Sequence, residues 1–228
     1  MNNILEIREI YKWDKENPYD KIELFNSTGY YDEYPMCKKI FEVNNELLAK
    51  EFYKVRSALE DQTGTYLKRW FEQRDVDWQV AKQELDAVNF TAEYYRQYNL
   101  MDLDPETNQW TQIYDWVGPY TKEILNKFQS KVVRARYSIA QPNWFLKLHV
   151  DYPNPKDNGF RIHIPIITSR DVKTMFLKND MLEEIYFEPG YVWFMNVSYP
   201  HKIEHSGNNE RIYLTLDLWD DLDVTRES

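Results

Sequence analysis

The sequence predicts an α+β fold in which a C-terminal antiparallel β core is surrounded by a largely helical N-terminal part. From about Val132, short segments rich in β-branched and aromatic residues alternate with turn residues, a spacing typical of sandwiches and barrels rather than βαβ units. Before that position, apolar residues recur at helical spacing. With 228 residues, 43% of them hydrophobic, the chain is expected to form a single domain, residues 1–228, around one core.

The N-terminal part, residues 1–130, is expected to be mainly helical. In NNELLAKEFYKVRSALEDQ the apolar residues lie on one face of a helix, and Asn44 or Asn45 is available as its cap. The segments DVDWQVAKQELDAV and PYTKEILNKFQSKV repeat this pattern, and Pro119 lies near the start of the latter. Three helices are therefore predicted before the β core.

Residues 131–220 are expected to form the β core, followed by a tail at residues 221–228. The strand-like segments are VVRARYSIA, WFLKLHV, FRIHIPII, EEIYFEP, YVWFMNV and RIYLTLDLW. Because side chains alternate between the two faces of a strand, the apolar face of the last segment holds Ile212, Leu214, Leu216 and Leu218. Its other face holds Arg211, Tyr213, Thr215 and Asp217. FRIHIPII likewise places Arg161 and His163 opposite three isoleucines, so each of these strands has one apolar face and one face that begins with cations.

The acidic composition disfavours two broad classes of partner. The formal net charge is -10, from 38 acidic and 28 basic residues, and a surface of this sign repels nucleic-acid phosphates and anionic lipids. We therefore expect no nucleic-acid partner and no membrane partner. A local basic pocket can still hold a small anion.

The cysteine count and the absence of apolar runs bear on the expected location. The single cysteine, Cys37, excludes an intrachain disulfide and is typical of a reducing compartment. The segment MNNILEIREIYKWDKEN lacks the apolar core of a signal peptide, and the sequence has no run of about 18 apolar residues such as a membrane span needs. A soluble cytoplasmic protein is expected.

All four histidines lie after residue 148, and their spacing indicates a metal site. His149 and Asp151 are two residues apart in a strand-like segment, so their side chains point to the same side. An imidazole nitrogen and a carboxylate oxygen on one side can bind one divalent metal ion. His201 and His205 are the candidates for a third ligand; His205 directly precedes the turn-like run SGNNE, which favours His201.

Two histidines and one carboxylate leave three of the six coordination positions of an octahedral metal ion open, as in non-haem Fe(II) oxygenases. The set formed by His149-x-Asp151, His201 and Arg211, ten residues after His201, resembles the Fe(II)/2-oxoglutarate dioxygenases. The segments FRIHIPI and EIYFEPGYVWFMNVSYPHKIEHSGNNERIYLTLDL further resemble the aspartyl/asparaginyl β-hydroxylase-like family, including its proline-hydroxylase relatives. This resemblance covers about residues 134–220 and implies a double-stranded β-helix (jelly-roll, cupin-like) core.

The resemblance also implies roles for individual residues. The implied iron ligands are His149, Asp151 and His201. Arg211 would bind the distal carboxylate of 2-oxoglutarate, because a guanidinium offers that anion two parallel charge-assisted hydrogen bonds. His163 would contact the same co-substrate, and Arg161 would bind a substrate carboxylate. The alternatives are a buried structural role for His163 and an ion pair with an acidic residue for Arg161.

The activity implied by the resemblance is the hydroxylation of a C–H bond of an amino acid, free or peptidyl (Asp/Asn or Pro). Its cofactors would be Fe(II), 2-oxoglutarate and O2, with ascorbate as a supporting reductant and with release of succinate and CO2. The substrate would be a small amino acid or a peptide or protein. A cupin-like metal-containing binding or regulatory protein without turnover and a zinc hydrolase remain alternatives.

Three local features bear on this resemblance. Some aspartyl/asparaginyl hydroxylases have glycine where Asp151 stands, so the carboxylate favours the bacterial amino-acid hydroxylases of the family. Many relatives in the wider superfamily have Ser or Thr where Tyr213 stands. Residues 152–155, YPNP, are expected to form a loop that borders the iron.

Overall fold

Strands outnumber helices in the part of the chain that the structure describes. The structure is a computed structural model, and it describes residues 7–12, 34–60, 95–106, 109–151, 159–179 and 181–225. The strands are β1 (Ile7–Lys12), β2 (Cys37–Glu42), β3 (Tyr95–Asn99), β4 (Met101–Asp104), β5 (Gln109–Ile113), β6 (Val132–Ala140), β7 (Phe145–His149), β8 (Phe160–Ile167), β9 (Val172–Lys178), β10 (Met181–Ile185), β11 (Tyr191–Met195), β12 (His201–His205) and β13 (Arg211–Leu218). The helices are α1 (Asn45–Glu60), α2 (Pro119–Asn126) and α3 (Leu222–Thr225).

Two antiparallel sheets form the core. One has five strands in the order β1-β10-β9-β12-β7, and the other has six in the order β2-β11-β8-β13-β6-β3. Strands β4 and β5 pair separately. From β6 to β13 the chain passes repeatedly from one sheet to the other, which is the arrangement of a double-stranded β-helix, or jelly roll. The predicted jelly-roll core is confirmed.

The alternation predicted for β8 and β13 decides which face of the six-stranded sheet meets the helices. The isoleucines of β8 and the apolar residues of β13 share one buried cluster with Leu48 and Phe52 of α1 and Ile124 of α2. Burying each such side chain contributes roughly 1.5–3 kcal/mol relative to exposure. The other face of β8 and β13 therefore points into the space between the two sheets.

A second apolar cluster fills one end of that space. It combines residues from both sheets: Phe176, Ile185, Trp193, Met195 and Tyr213 are among its members. Aromatic rings such as those of Phe187 and Trp193 pack edge to face within it, with ring centroids 5.3 Å apart. The polar residues of β8 and β13 lie beside this cluster, so the apolar packing borders the candidate site.

Two of the predicted N-terminal helices are confirmed. Helix α1 begins as expected, and the side-chain Oδ1 of Asn44 accepts a hydrogen bond from the backbone N–H of Leu47 at 3.1 Å, so Asn44 is its cap. Helix α2 begins at Pro119. The helix predicted for DVDWQVAKQELDAV lies outside the described residues, as does the loop predicted at residues 152–155. No helix in the described ranges has both the length and the apolar character of a membrane span.

The mainly helical character predicted for residues 1–130 is not supported by the described residues. Strands β1 to β5 lie in this part, and three of them extend the core sheets, since β1 pairs with β10, β2 pairs with β11 and β3 pairs with β6. The unpaired N–H and C=O groups of an edge strand need partners, and these N-terminal strands supply them. The predicted tail also differs, because it contains α3, where the carboxylate of Asp223 accepts hydrogen bonds from the backbone of Gln129 and Ser130.

Helix α1 fastens the start of β13 from outside the core. Arg56 of α1 donates two hydrogen bonds to the carboxylate of Glu210, at 2.6 and 2.7 Å, in a bidentate ion pair. Gln141 donates to the same carboxylate at 2.8 Å. Glu210 directly precedes Arg211, so this contact holds the strand end that carries the predicted co-substrate arginine.

Helix α2 is capped by a side chain of α1. The residue that precedes α2, Gly118, provides no side-chain cap. Instead, the carboxylate of Glu51 accepts hydrogen bonds from the backbone N–H groups of Tyr120 at 2.7 Å and Thr121 at 2.8 Å. A carboxylate at this place also faces the positive end of the helix dipole. A Cβ atom at Gly118 would overlap this carboxylate, which explains the glycine.

Replacement of Glu51 by alanine is expected to lower the free energy of unfolding by about 1–2 kcal/mol, the usual loss when a helix cap is removed. Urea unfolding followed by circular dichroism measures this change. Glu51→Gln retains one acceptor oxygen and should lose less. Lys50→Ala changes an exposed side chain of the same helix and should alter stability by no more than about 0.5 kcal/mol. Equal stability of Glu51→Ala and Lys50→Ala would contradict the capping role.

Candidate metal centre

The pairing of β7 with β12 brings two histidines together from distant parts of the chain. His149 ends β7 and His201 begins β12, and the two residues form a register pair in this antiparallel ladder. Their ring centroids are 4.3 Å apart. Asp151 follows just beyond β7, where its backbone N–H donates to the carbonyl oxygen of Val197 at 3.1 Å. Strand pairing and this hydrogen bond therefore place three potential ligands at one point.

These three side chains form a cluster that can hold a metal ion. The candidate ligand atoms of His149, Asp151 and His201 all lie within 4.8 Å of one another. His149 Nε2 and Asp151 Oδ1 are 3.1 Å apart. His201 Nδ1 lies 2.9 Å from the carbonyl oxygen of Tyr199. Because a carbonyl oxygen can only accept a hydrogen bond, the proton is assigned to Nδ1, and the lone pair of Nε2 is available to a metal ion. Two imidazoles and one carboxylate suit Fe(II) and leave coordination positions open.

The protonation states also suit metal binding. Burial, followed by the charge of His149, lowers the pKa of His201 to about 3, so this imidazole is neutral at physiological pH. Burial alone raises the pKa of Asp151, but Arg161 and His149 outweigh that effect and hold the pKa well below its usual value. A neutral imidazole and an ionised carboxylate are the forms that bind a cation.

One cavity of about 180 Å³ contains all six residues predicted for the site. They are His149, Asp151, Arg161, His163, His201 and Arg211. Its apolar wall includes Trp144, Leu146 and Ile203. His205, the alternative third ligand, lies outside both this cavity and the cluster, and its Nε2 is 2.6 Å from the carbonyl oxygen of Asn209.

Arg211 is buried in this cavity and has no anionic partner among the described residues. The residue is 2% exposed, and its guanidinium carbon lies 3.7 Å from the ring centroid of Tyr213. Within the described part of the chain, its Nε and Nη2 atoms have no hydrogen-bond partner. An isolated buried charge is costly unless an ion compensates it. The end of the cavity at Arg211 is therefore suited to bind an anion.

Two further polar groups accompany Arg211. Ser138 on β6 pairs with Tyr213, which makes it a diagonal neighbour of Arg211 on the same face, and its buried Oγ has no partner among the described residues. Nδ1 of His163 is likewise buried without a partner in this set. Burial, followed by the charges of Arg211, Arg161 and other neighbours, holds the pKa of His163 well below its usual value, so the ring is neutral.

Ser138 was not identified from the sequence. In VVRARYSIA a serine among apolar residues gives no chemical signal, although the alternation of β6 already placed it on the face of Arg136. Tyr213, which stands where many relatives have Ser or Thr, directs its hydroxyl to Thr168 at 3.3 Å. Ser138, from the neighbouring strand, is therefore one hydroxyl beside Arg211, and Thr215 contributes another hydroxyl to the lining of the cavity.

Arg161 forms the ion pairs that the sequence left as an alternative. Its Nη1 is 2.8 Å from Asp151 Oδ2, and its Nε is 2.6 Å from Asp217 Oδ1. Arg134 and Arg136 also approach Asp217, at 3.2 and 3.6 Å. The sequence placed Asp217 on the polar face of the last strand but gave no sign of this contact, because it depends on the pairing of β13 with β8 and β6.

Several solved structures share distant similarity with this chain. An oxidoreductase of the 2OG-Fe(II) oxygenase family from Burkholderia pseudomallei is 14% identical, with a TM-score of 0.41 and with 59% of this chain and 73% of that chain covered. Oxalate decarboxylase from Bacillus subtilis is 12% identical, with a TM-score of 0.35 and coverage of 55% and 26%, so this chain spans about a quarter of that protein. A Cupin 2 conserved barrel domain protein from Salinispora arenicola is 12% identical, with a TM-score of 0.31 and coverage of 57% and 79%.

The sequence profile of one family matches most of the chain. No curated protein matches the sequence significantly. The profile of the Aspartyl/Asparaginyl beta-hydroxylase family, in contrast, matches residues 75–221, which is more than half of the chain and includes every residue of the cavity. The chain therefore belongs to the aspartyl/asparaginyl β-hydroxylase family and is accordingly a 2-oxoglutarate-dependent dioxygenase whose cofactors are Fe(II), 2-oxoglutarate and O2.

Proposed function

We propose that the protein hydroxylates a C–H bond of an amino acid, either free or as an Asp, Asn or Pro residue of a peptide, with release of succinate and CO2. In this proposal His149, Asp151 and His201 bind Fe(II), and Arg211 binds the distal carboxylate of 2-oxoglutarate. The observation that carries it is that Arg211, whose buried Nε and Nη2 have no hydrogen-bond partner among the described residues, shares one cavity with the metal-ligand cluster.

The polar groups around Arg211 support the assignment of the co-substrate. A carboxylate accepts several hydrogen bonds, and Nε and Nη2 of Arg211, which have no partner among the described residues, can supply them together with the hydroxyl of Ser138. His163, neutral and adjacent, adds a polar contact without adding charge. Arg211 and His163 of the cavity, with Ser138 beside Arg211, therefore offer a guanidinium, an imidazole and a hydroxyl to one anionic group, which suits one end of a dicarboxylate.

The charge inside the cavity supports the same assignment. The arginines that line it are Arg136, Arg161 and Arg211. Among the described residues, Asp151 and Asp217 form ion pairs with Arg136 and Arg161, and none of the described acids forms one with Arg211. A dianionic co-substrate would compensate the divalent metal ion and the remaining arginine. This balance favours 2-oxoglutarate over a neutral ligand.

The residues of the cavity have separate tasks in the proposed reaction. The chemistry that Fe(II), 2-oxoglutarate and O2 supply when bound is oxidative decarboxylation coupled to insertion of one oxygen atom into a C–H bond. Arg211 orients the co-substrate by a bidentate contact. Trp144 and Leu146 exclude water from the metal-ligand cluster, so that charged groups interact more strongly there. We assign a substrate carboxylate to the side of the cavity where Arg136 and Arg161 lie.

The size of the cavity supports a small substrate group. A volume of about 180 Å³ is below the roughly 300–1,000 Å³ of pockets that enclose drug-sized ligands. The cavity therefore has room for the co-substrate and for little more than one amino-acid side chain. This size fits a free amino acid or a single residue of an extended peptide.

The proposed ligand set predicts one metal site per chain. We expect His201→Ala to raise the dissociation constant for Fe(II) or Co(II) by more than roughly 100-fold, because losing a ligand exceeds the 10–100-fold cost of losing a residue that supports one. Isothermal titration calorimetry under anaerobic conditions measures this change. His205→Ala is the matched control and should retain the site. If His205→Ala lost the metal site and His201→Ala retained it, His205 would be the third ligand.

The proposed co-substrate contacts predict graded losses of 2-oxoglutarate affinity. Arg211→Lys keeps the charge but loses the two parallel N–H donors of the guanidinium. We expect the dissociation constant for 2-oxoglutarate to rise by about 10–100-fold, as for the loss of a charged hydrogen bond. Ser138→Ala should raise it by about fivefold. Titration of the anaerobic metal-loaded protein measures both. Ser206→Ala, an exposed serine outside this cavity, should bind normally, and a normal Ser138→Ala would refute the hydroxyl contact.

Turnover is the direct test of the proposed function. The protein with Fe(II), ascorbate and 2-oxoglutarate should form succinate faster when the correct substrate is added to it. Free amino acids and peptides that contain Asp, Asn or Pro form the screen, and mass spectrometry should detect the gain of one oxygen atom. Metal binding without 2-oxoglutarate binding, or O2-independent activity with Zn(II), would contradict the proposal.

A further inference from the structure

Arg161 connects two carboxylates through one guanidinium group. Its Nε donates to Oδ1 of Asp217 at 2.6 Å, and its Nη1 donates to Oδ2 of Asp151 at 2.8 Å. Because the guanidinium is planar and rigid, the direction of one N–H bond fixes the directions of the others. The orientation that Asp217 imposes on Arg161 therefore also determines where Oδ2 of Asp151 is held.

Asp217 is suited to impose this orientation. It forms a register pair with Arg161 in the β8–β13 ladder, so the backbone holds the two side chains side by side. The side chain of Asp217 is 0% exposed, and Arg134 and Arg136 flank its other oxygen. Burial alone raises the pKa of Asp217, but the three guanidinium groups outweigh this effect and lower the pKa, so the acid stays ionised.

The carboxylate of Asp151 depends more on a neighbouring side chain for its orientation than the rings of the two histidines do. The histidines lie within paired strands, whereas Asp151 follows the last residue of β7 and its side chain is 25% exposed. Its Oδ2 is bound by Arg161, and its Oδ1 lies 3.1 Å from Nε2 of His149, on the side of the metal-ligand cluster. The two oxygens of this carboxylate thus face different partners.

We propose that Asp217 is a positioning residue that acts through Arg161: the pair holds Oδ2 of Asp151, so that Oδ1 alone is presented to the metal ion. This inference rests on the proposed function, because it takes Asp151 as a metal ligand. Arg161 then supports the metal-ligand cluster in addition to lining the substrate side of the cavity. Asp217, the buried acid of β13, thereby contributes to metal affinity.

The first test is the metal affinity of Asp217→Asn, in which the shape is kept but the charge that orients Arg161 is lost. We expect the dissociation constant for Co(II), an air-stable probe of the site, to rise about 10–100-fold, as when a partner that orients a metal ligand is removed. The ligand-field absorption of bound Co(II) should change as well. Asp115→Asn is the matched control, since Asp115 is exposed and lies outside the cavity; its Co(II) affinity should equal that of the wild type.

A double-mutant cycle distinguishes action through Asp151 from a general effect on the fold. In an Asp151→Ala background, Asp217→Asn should change Co(II) affinity by less than about twofold, because the carboxylate that it positions is already absent. If the two residues acted independently, Asp217→Asn would raise the Co(II) dissociation constant by the same factor in the Asp151→Ala background as in the wild type. That result would overturn the proposal.

Arg161→Lys is a second variant, because loss of the buried charge of Asp217 is strongly destabilising. It keeps a cation beside Asp217 but lacks the fork that reaches Asp151. We expect the same 10–100-fold rise in the Co(II) dissociation constant, and this variant decides the question if Asp217→Asn does not fold.

The outcomes separate this inference from the proposed function. Unchanged Co(II) affinity in Arg161→Lys, with a raised KM for substrate, would leave Arg161 as a substrate contact alone and overturn the positioning role. Wild-type protein that binds no Co(II) would overturn the proposed ligand set itself. Normal Co(II) binding and turnover in the wild type and in both variants would overturn only the positioning role.

Discussion

The pairing of β8 with β13 is the constraint on which both the core and the candidate site depend. On one face of these strands, isoleucines and leucines pack against α1 and α2. On the other face, Arg161, His163 and Arg211 line the cavity. A slip of one residue in this register would exchange the two faces, burying charges against the helices and placing apolar side chains in the cavity. The packing of the outer core therefore holds the polar residues of the interior in position.

The interior of this acidic protein contains a concentrated group of arginines. They are Arg134, Arg136, Arg161 and Arg211. Asp217 forms ion pairs with the first three, and Asp151 forms one with Arg161, whereas Arg211 has no carboxylate partner in the described part of the chain. A protein carboxylate beside Arg211 would compete with an anionic ligand for the same guanidinium. The arrangement thus separates arginines that pair with Asp217 from Arg211, which in the proposed function pairs with the co-substrate.

The β core could be predicted from local patterns, whereas the contribution of the N-terminal part could not. The jelly-roll strands β6 to β13 begin at Val132, as the composition indicated, and β8 and β13 have the two faces that their alternation predicted. The strand CKKIFE, in contrast, has no clear alternation of burial, and it is a strand because it pairs with β11, some 150 residues away. Local periodicity contains no information about such a partner. For this reason the described residues do not support the prediction of a mainly helical N-terminal part.

The sequence by itself determined which residue types meet in the candidate site. The spacing of His149 and Asp151 and the alternation around Arg211 are local properties, so they could be recognised without a structure. The tertiary structure decided that His201 rather than His205 faces His149, that Ser138 lies diagonally opposite Arg211, and that Asp217 pairs with Arg161. These outcomes depend on the registers of strands that are far apart in the chain, and a register is selected by the packing of whole sheets rather than by the residues near any one position.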